Sequence, residues 1–402
     1  MDDAVDVLVV GGGPAGSSVA NIVAQGNNHV LVLEKDVFPR YHIGESLIPF
    51  TYNSLERLGV IPELRNSSFT KKYSVQFAQE DGTLHKPFYF SDRYDINTVA
   101  QTWQVDRSKF DKMLLDKAVE RGAKVIHNAR VDELIYSDKR VVGVKYTDLI
   151  NNTTKEVFAK WVVDASGRKA LAAKKNSWME RDPLLRNKMA IWSYFKGCKR
   201  ADGIDGGATI VAFIKNKGWF WYIPLENDIT SVGVVAESSY LMRDGIRGIG
   251  NVFSREVQNN KWLSRQLKDV ERTSEFASTT DYSLHSKCST APGVVLVGDA
   301  LAFLDPVFSS GVLLALKSGV MVGDVLNKAL SDPTTEDSCF DSYHDCMQLS
   351  IENMRKLIHA FYNINLSFKD IIQQHPWAVD QITDCLSGDL ERDYAELWNL
   401  LK

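Results

Sequence analysis

The first 35 residues constrain this chain most. Val5 to Val10 is an apolar, largely β-branched run that ends at Gly11-Gly12-Gly13-Pro14-Ala15-Gly16. Such a run closed by glycine predicts a buried strand. The small, apolar stretch Ser17 to Gln25 predicts a helix packed close to a sheet, and His29 to Leu33 predicts a second strand ending at Glu34. Strand, GxGxxG turn, helix, strand and acid in that order make a dinucleotide cradle. Gly11 permits the tight turn, and Gly13 lets backbone N–H groups approach a pyrophosphate at the helix N-terminus. Gly16 allows close helix–strand packing, and Glu34 accepts from a ribose hydroxyl. The motif alone does not separate FAD from NAD.

Two later segments bear on that choice. Lys160 to Gly167 reads as a strand ending in Asp164. Gly293 to Asp299 reads as another, ending in Gly298-Asp299, and after Pro306 a helix start follows at Ser309-Ser310-Gly311. A strand ending in an acid beside a helix N-terminus suits the ribityl hydroxyls and second phosphate of a long cofactor. This three-part pattern resembles the FAD-binding fold of the aromatic-hydroxylase-like flavoproteins. The resemblance implies an α/β, Rossmann-like FAD domain with an inserted mixed-sheet substrate domain and a helical C-terminal region. The expected divisions are 1–47, 101–168 and 286–330 for the FAD domain, 48–100 and 169–285 for the substrate side, and 331–402 for the C-terminal helices. Arg107 falls where the chain returns to the cofactor.

Three further segments narrow the chemistry. Arg40 to Leu47 fits RxxIGES, Gly218 to Leu225 contains WxWxIP, and Asp305 to Val312 reads DPVFSSGV. Together they resemble the flavin-dependent halogenases over nearly the whole chain. Geranylgeranyl-reductase-like flavoproteins share the fold with a looser aromatic motif, and Trp219 and Ile223 favour the halogenase side. The resemblance implies FAD contacts from Gly11, Gly13, Ala15, Gly16, Glu34, Lys35, Arg40, Ile43, Gly44, Glu45, Ser46, Arg107, Asp164, Gly298, Asp299, Pro306, Gly311 and Val312. It implies a halide site at Ser309, Ser310 and Gly311, where backbone N–H groups at a helix start suit an anion.

Trp219 and Trp221 alternate, so on a strand they share one face. Such a wall would keep an organic substrate from the flavin while a halide still reaches it. By resemblance, Lys72 is the essential lysine. Tyr73, Val75 and Phe77 alternate with Lys72, Ser74 and Gln76 as on a half-buried strand, so Lys72 is expected to begin the polar face. Its ammonium can hydrogen-bond hypohalous acid, and its neutral amine can form a haloamine. Tryptophan halogenases carry glutamate where this chain has Phe308, which favours a phenol or pyrrole over free tryptophan, either free or tethered to a carrier protein.

The implied reaction uses reduced FAD, O2 and chloride or bromide to make hypohalous acid. No second glycine fingerprint for NAD(P)H is visible, and the resemblance implies a separate NAD(P)H-dependent flavin reductase. A flavin monooxygenase or reductase of the same fold is the competing reading, and a non-catalytic flavoprotein a third.

Composition excludes other classes. The 402 residues carry 24% charged and 44% hydrophobic residues with a net charge of −4, which fits a globular protein and argues against a dedicated nucleic-acid binder. Five cysteines without a CxxC pair suggest neither a disulfide framework nor a zinc site, and His42, His127 and His375 have no metal spacing. Asp2 and Asp3 stand where a signal peptide would be basic, and no apolar run approaches a membrane span. A cytoplasmic location is the expectation. The tail reads as a long helix over Cys339 to Phe361 and a short one over Asp389 to Leu401. The segments Phe361 to Leu366 and Thr383 to Leu386 also resemble halogenase C-terminal regions. A tail this short is expected to leave the substrate pocket open.

Overall fold

The computed structural model describes residues 4–185, 187–280, 283–363, 366 and 368–401. Asp2, Asp3, Ile364 and Asn365, named above, lie outside them. The expected first strand forms over Val5–Val10, and the helix after it over Pro14–Gln25. Proline at the helix start suits a position whose N–H has no intrahelical acceptor. Val5–Val10 lies between Val30–Leu33 and Thr153–Asp164, parallel to both. Lys124–Ile126 and Val294–Leu296 extend the parallel sheet on either side. Val7–Val10, Val30–Leu33 and Val294–Leu296 are buried on both faces, which is why they are continuous apolar runs rather than alternating ones.

Two helices meet on one face of this sheet. Gly311–Ser331 crosses Pro14–Gln25 at Gly319, where a Cβ would stand 2.5 Å from the Ala15 carbonyl oxygen, and at Gly323, where it would stand 2.5 Å from Ile22 Cβ. Only glycine allows that approach. It brings the starts of the two helices toward one another, with Gly298 seated between Ala15 and Ala315.

A second sheet runs in the order 271–272, 188–196, 229–237, 218–224, 209–214, 74–78 and 88–89, with 277–280 also pairing to 188–196. Ile249–Asn259 and Lys261–Gln266 cover one face, packing on Ile191, Phe220 and Val234. The other face carries Trp192, Val211, Trp219 and Trp221 into the main core.

The 48–100 segment does not act as one unit. Thr51–Leu58 packs on the nucleotide side, with Leu55 and Leu58 in a cluster with Ile22 and Leu316. Only Ser74–Ala78 and Phe88–Tyr89 join the second sheet. The buried apolar side chains of Thr51–Leu58 are Tyr52, Leu55 and Leu58, and their partners include Ile22 and Leu316 on the two crossing helices.

In the tail, the long helix spans Glu336–Tyr362. The short terminal helix starts later than expected, at Ala395, because Asp389 is held by Arg392 and its carbonyl accepts from Tyr394. Ala378–Ser387 forms a further helix, and Asp384 on it receives both Arg93 and Arg392. No helix of the described residues is long and apolar enough to cross a membrane.

Candidate active site

The nucleotide cradle has the geometry its glycines require. Gly11 has φ +102°, and a Cβ at Gly16 would lie 1.9 Å from the Gly11 carbonyl oxygen. No side chain caps the helix at Gly13, so its first N–H groups are available to an anion. Glu34 is buried, and its carboxylate accepts from Gly12 N at 2.6 Å and Asp36 N at 2.9 Å. Lys35 is exposed, 3.8 Å from Asp36. Arg40 reaches toward Gly13 and pairs with Asp111 at 3.3 Å.

Arg107 is no surface residue. It is 5% exposed and grips Asp111 through Nε at 2.7 Å and Nη2 at 3.0 Å. Its Nη1 donates to the carbonyls of Ile43 and Gly44, fixing the RxxIGES loop. The two strand-end acids differ. Asp164 is fully buried and accepts from Ser166 N and Ala172 N, so it caps a turn. Asp299 makes no hydrogen bond among the described residues, and burial pushes its carboxyl up to about 6.

The second helix start is built by Asp305, which is buried and accepts from Val307 N at 3.1 Å. The Pro306–Phe308 turn follows, Ser309 adopts φ +57°, and Ser310 begins Gly311–Ser331 without a side-chain cap. A Cβ at Gly311 would meet nothing within 4 Å, whereas Val312 is buried in the core. Uncapped N–H groups facing open space are what an anion requires.

Trp219 and Trp221 share a face as expected, with ring centroids 6.0 Å apart. Sequence reasoning missed three of their partners. Trp192 lies 6.2 Å from Trp221, across Gly233 on the strand between them. Gly233 admits the Trp221 ring, since a Cβ there would stand 2.2 Å from it. Tyr362 accepts from Trp219 Nε1 at 2.8 Å and donates to Asp305 at 3.0 Å. A third tryptophan at alternating spacing in Lys188–Lys196 was the available signal for Trp192. Nothing local points to Tyr362.

The expected polar face at Lys72 needs correction. The alternation exists, but Ser74 and Gln76 are the buried members while Tyr73, Val75 and Phe77 are half-buried. Phe77 stacks on Phe213, 5.8 Å away, on the face of the second sheet that also carries Val211, Trp219 and Trp221. Lys72 belongs to a separate short strand, Thr70–Lys72, paired with Thr102–Gln104. It is 1% exposed. Its Nζ lies 2.9 Å from Ser46 Oγ, donates to the Leu47 carbonyl at 3.0 Å, and lies 5.6 Å from the Phe90 ring centre. Burial alone pushes the amine down to about 7.

These parts form a connected chain of contacts. Ser46 follows Glu45, which accepts from the Tyr194 hydroxyl. Tyr194 in turn accepts from the Tyr41 hydroxyl, Tyr41 accepts from Trp192 Nε1 at 2.7 Å, and Trp192 leads through Trp221, Trp219 and Tyr362 to Asp305. Glu45 is buried, and burial raises its carboxyl above the usual range. A cleft of about 410 Å³ opens beside it, lined by His42, Arg107, Ser108 and Glu226 among others.

The cradle, the second helix start and the tryptophan wall define an FAD-dependent oxidoreductase of the two-sheet, Rossmann-like class. The tryptophan halogenase family model matches residues 6–95 and 86–370, and the chain belongs to that family. It is a flavin-dependent halogenase, an enzyme that uses FAD with chloride or bromide. It is 31% identical to the 1H-pyrrole-2-carbonyl-(peptidyl-carrier protein) chlorinase of Pseudomonas fluorescens, over 97% of this chain and 90% of the relative. It is 30% identical to the corresponding brominase of Pseudoalteromonas luteoviolacea, over 95% and 91%. Among solved structures, the flavin-dependent brominase Bmp2 aligns at a TM-score of 0.87 with 28% identity, covering 99% of this chain and 96% of that one.

Proposed function

We propose that this halogenase acts on an electron-rich ring, a pyrrole carried as a thioester on a carrier protein, and that Lys72 directs the halogenating species onto it. The buried amine of Lys72, held by Ser46 and Leu47 with no charged partner among the described residues, is the observation that carries this reading. The named substrates of two relatives that match nearly end to end support the substrate class. Phe308 supports it too. Its ring packs 5.5 Å from Phe361, which lies 5.7 Å from Phe213, an apolar row suited to a neutral heteroaromatic.

FAD would be held by Gly11, Gly13 and Gly16 at the first helix start, by Glu34, Arg40 and Arg107 nearby, and by Asp299 and the Gly311 helix start at the other end. When bound and reduced, it supplies with O2 the oxidising equivalents that turn halide into hypohalous acid. The backbone N–H groups of Ser310 and Gly311 hold the halide. Trp219 and Trp221 keep the ring from the flavin. Lys72 Nζ hydrogen-bonds the oxygen of hypohalous acid, easing its departure as water while the ring takes the halogen. The stoichiometry balances: aromatic C–H and hypohalous acid give aromatic C–halogen and water. The three-part domain division remains our reading of which segments serve cofactor and substrate, except that residues 51–58 pack on the cofactor side, and a separate flavin reductase supplies reduced FAD.

The test is mass spectrometry of a pyrrole-2-carbonyl carrier protein incubated with the enzyme, FAD, a flavin reductase, NADH and either halide. A mass gain of one or two halogens that requires the reductase supports the reading. Halogenation of free phenols but not of the carrier-bound pyrrole would overturn the substrate, and turnover of NADH by this chain alone would overturn the separate reductase.

A further inference from the structure

Four segments distant in sequence meet behind Lys72. Gln104 lies on the strand that pairs with Thr70–Lys72, opposite Thr70, and is fully buried. Its Nε2 donates to the Gly207 carbonyl at 3.0 Å and to Thr209 Oγ1 at 2.8 Å. A carbonyl only accepts, so the orientation of the amide is fixed by Gly207. Gly207 cannot move away easily, because its Cα packs so tightly that a Cβ would stand 1.9 Å from the Lys71 carbonyl oxygen.

Thr209 Oγ1 therefore accepts from Gln104, and its own hydrogen needs an acceptor. Among the described residues that acceptor is Ser46 Oγ, 2.9 Å away. Ser46 Oγ is in turn 2.9 Å from Lys72 Nζ. If Lys72 is an ammonium, Ser46 accepts from both neighbours and its hydrogen has no acceptor among the described residues. If Lys72 is a neutral amine, every hydroxyl hydrogen is placed. Gln104 donates to Thr209, Thr209 to Ser46 and Ser46 to the Nζ lone pair. Nζ donates one hydrogen to Leu47 and keeps another for hypohalous acid. No acid or second cation contributes at Nζ. The neighbouring Glu45 is turned to Tyr194 and Gly44 N, and Arg107 to Asp111 and the Ile43 and Gly44 carbonyls.

We propose that Gln104, acting through Thr209 and Ser46, is a positioning residue that aims a hydroxyl hydrogen at Lys72 Nζ and keeps that amine uncharged. This rests on the reading of Lys72 given above, and it adds the device that sets its protonation state.

The test follows Lys72 directly, by NMR of FAD-bound protein labelled with ¹³C-lysine, the signal being assigned from Lys72→Arg. Without the donor at Thr209, or with Thr209 free to accept instead, Ser46 is released to accept from an ammonium rather than donate to Nζ, which raises the amine's pKa. Thr209→Val and Gln104→Met are expected to move the Lys72 titration upward by about one unit. Thr209→Ser is expected to restore it, and the acidic limb of the halogenation pH profile should shift the same way. A purely packing role predicts the opposite sign for Thr209→Val, since a more apolar neighbour disfavours the ammonium further. Retained FAD binding identifies folded variants, and Gln104→Met provides a second line if Thr209→Val does not fold. A titration unchanged or lowered in the folded variants would overturn the proposal. Full halogenation by Lys72→Ala would instead overturn the role of Lys72 and leave the titration result standing.

Discussion

Trp219 Nε1 donates to the Tyr362 hydroxyl at 2.8 Å. That tyrosine in turn donates to Asp305, which holds the turn before the Gly311 helix start. One residue of the C-terminal helix thus ties the tryptophan wall to the proposed halide loop. Tyr362→Phe leaves a buried indole N–H and a buried carboxyl short of a partner. We expect the melting temperature to fall by about 2–5 °C. The halide concentration for half-maximal rate should rise, because Asp305 no longer has its second anchor. Melting curves and a bromide titration check both, and an unchanged halide response would detach the tyrosine from the loop.

Arg107 and Asp111 make a second pair whose parts cannot be removed singly. Asp111 is fully buried, and Arg107 supplies two of its hydrogen bonds. Arg107→Leu is expected to cost about 3 kcal/mol, because the carboxylate keeps only Arg40. Arg107→Leu with Asp111→Leu should cost less than the single change. A double-mutant cycle in urea measures this, and simple additivity would show that the pair is not coupled.

The cost of burying Lys72 has a defined pH window. Its folded value lies near 7, below the ordinary lysine value of 10.5. Below pH 7 the folded state must desolvate an ammonium that the unfolded chain keeps in water, and the penalty is full. It fades as pH rises from 7 to 10.5, because the unfolded chain then also loses its proton. Lys72→Met should be more stable than the parent at pH 6.5, by at most about 5 kcal/mol. The margin should shrink at pH 9.5. Melting curves at the two pH values decide it, and a margin that grew with pH would contradict the assignment.

Gly16 admits no side chain. A Cβ at that position would lie 1.9 Å from the Gly11 carbonyl oxygen, so Gly16→Ala must displace the turn that approaches the pyrophosphate. We expect FAD to bind at least about tenfold more weakly, the equivalent of roughly 1.4 kcal/mol. Quenching of flavin fluorescence measures it, and wild-type affinity would contradict the cradle.

How much the sequence revealed depended on how local the cause was. Gly11, Gly16 and the Trp219–Trp221 pair were legible because a left-handed turn, a close approach and a strand period are written in neighbouring residues. The sense of burial around Lys72 was not. Alternation says that Ser74 and Phe77 face opposite sides, but only the packing of the second sheet decides which side is the more deeply buried. The Gln104–Thr209–Ser46 chain was invisible for a related reason, since its members come from strands and a loop that meet only in the fold. Asp164 and Asp299 look alike in sequence and differ only because a short helix begins at Leu171 and presents Ala172 N to the first.

The most direct measurement compares the parent enzyme with Lys72→Ala on carrier-bound pyrrole, with FAD, reductase and bromide at saturation. Halogenated product is expected to fall by roughly 10²-fold or more, while FAD affinity and the bromide-dependent oxidation of reduced flavin stay within a factor of about two. Product formed by Lys72→Ala at a rate near the parent's would contradict the central role of this lysine.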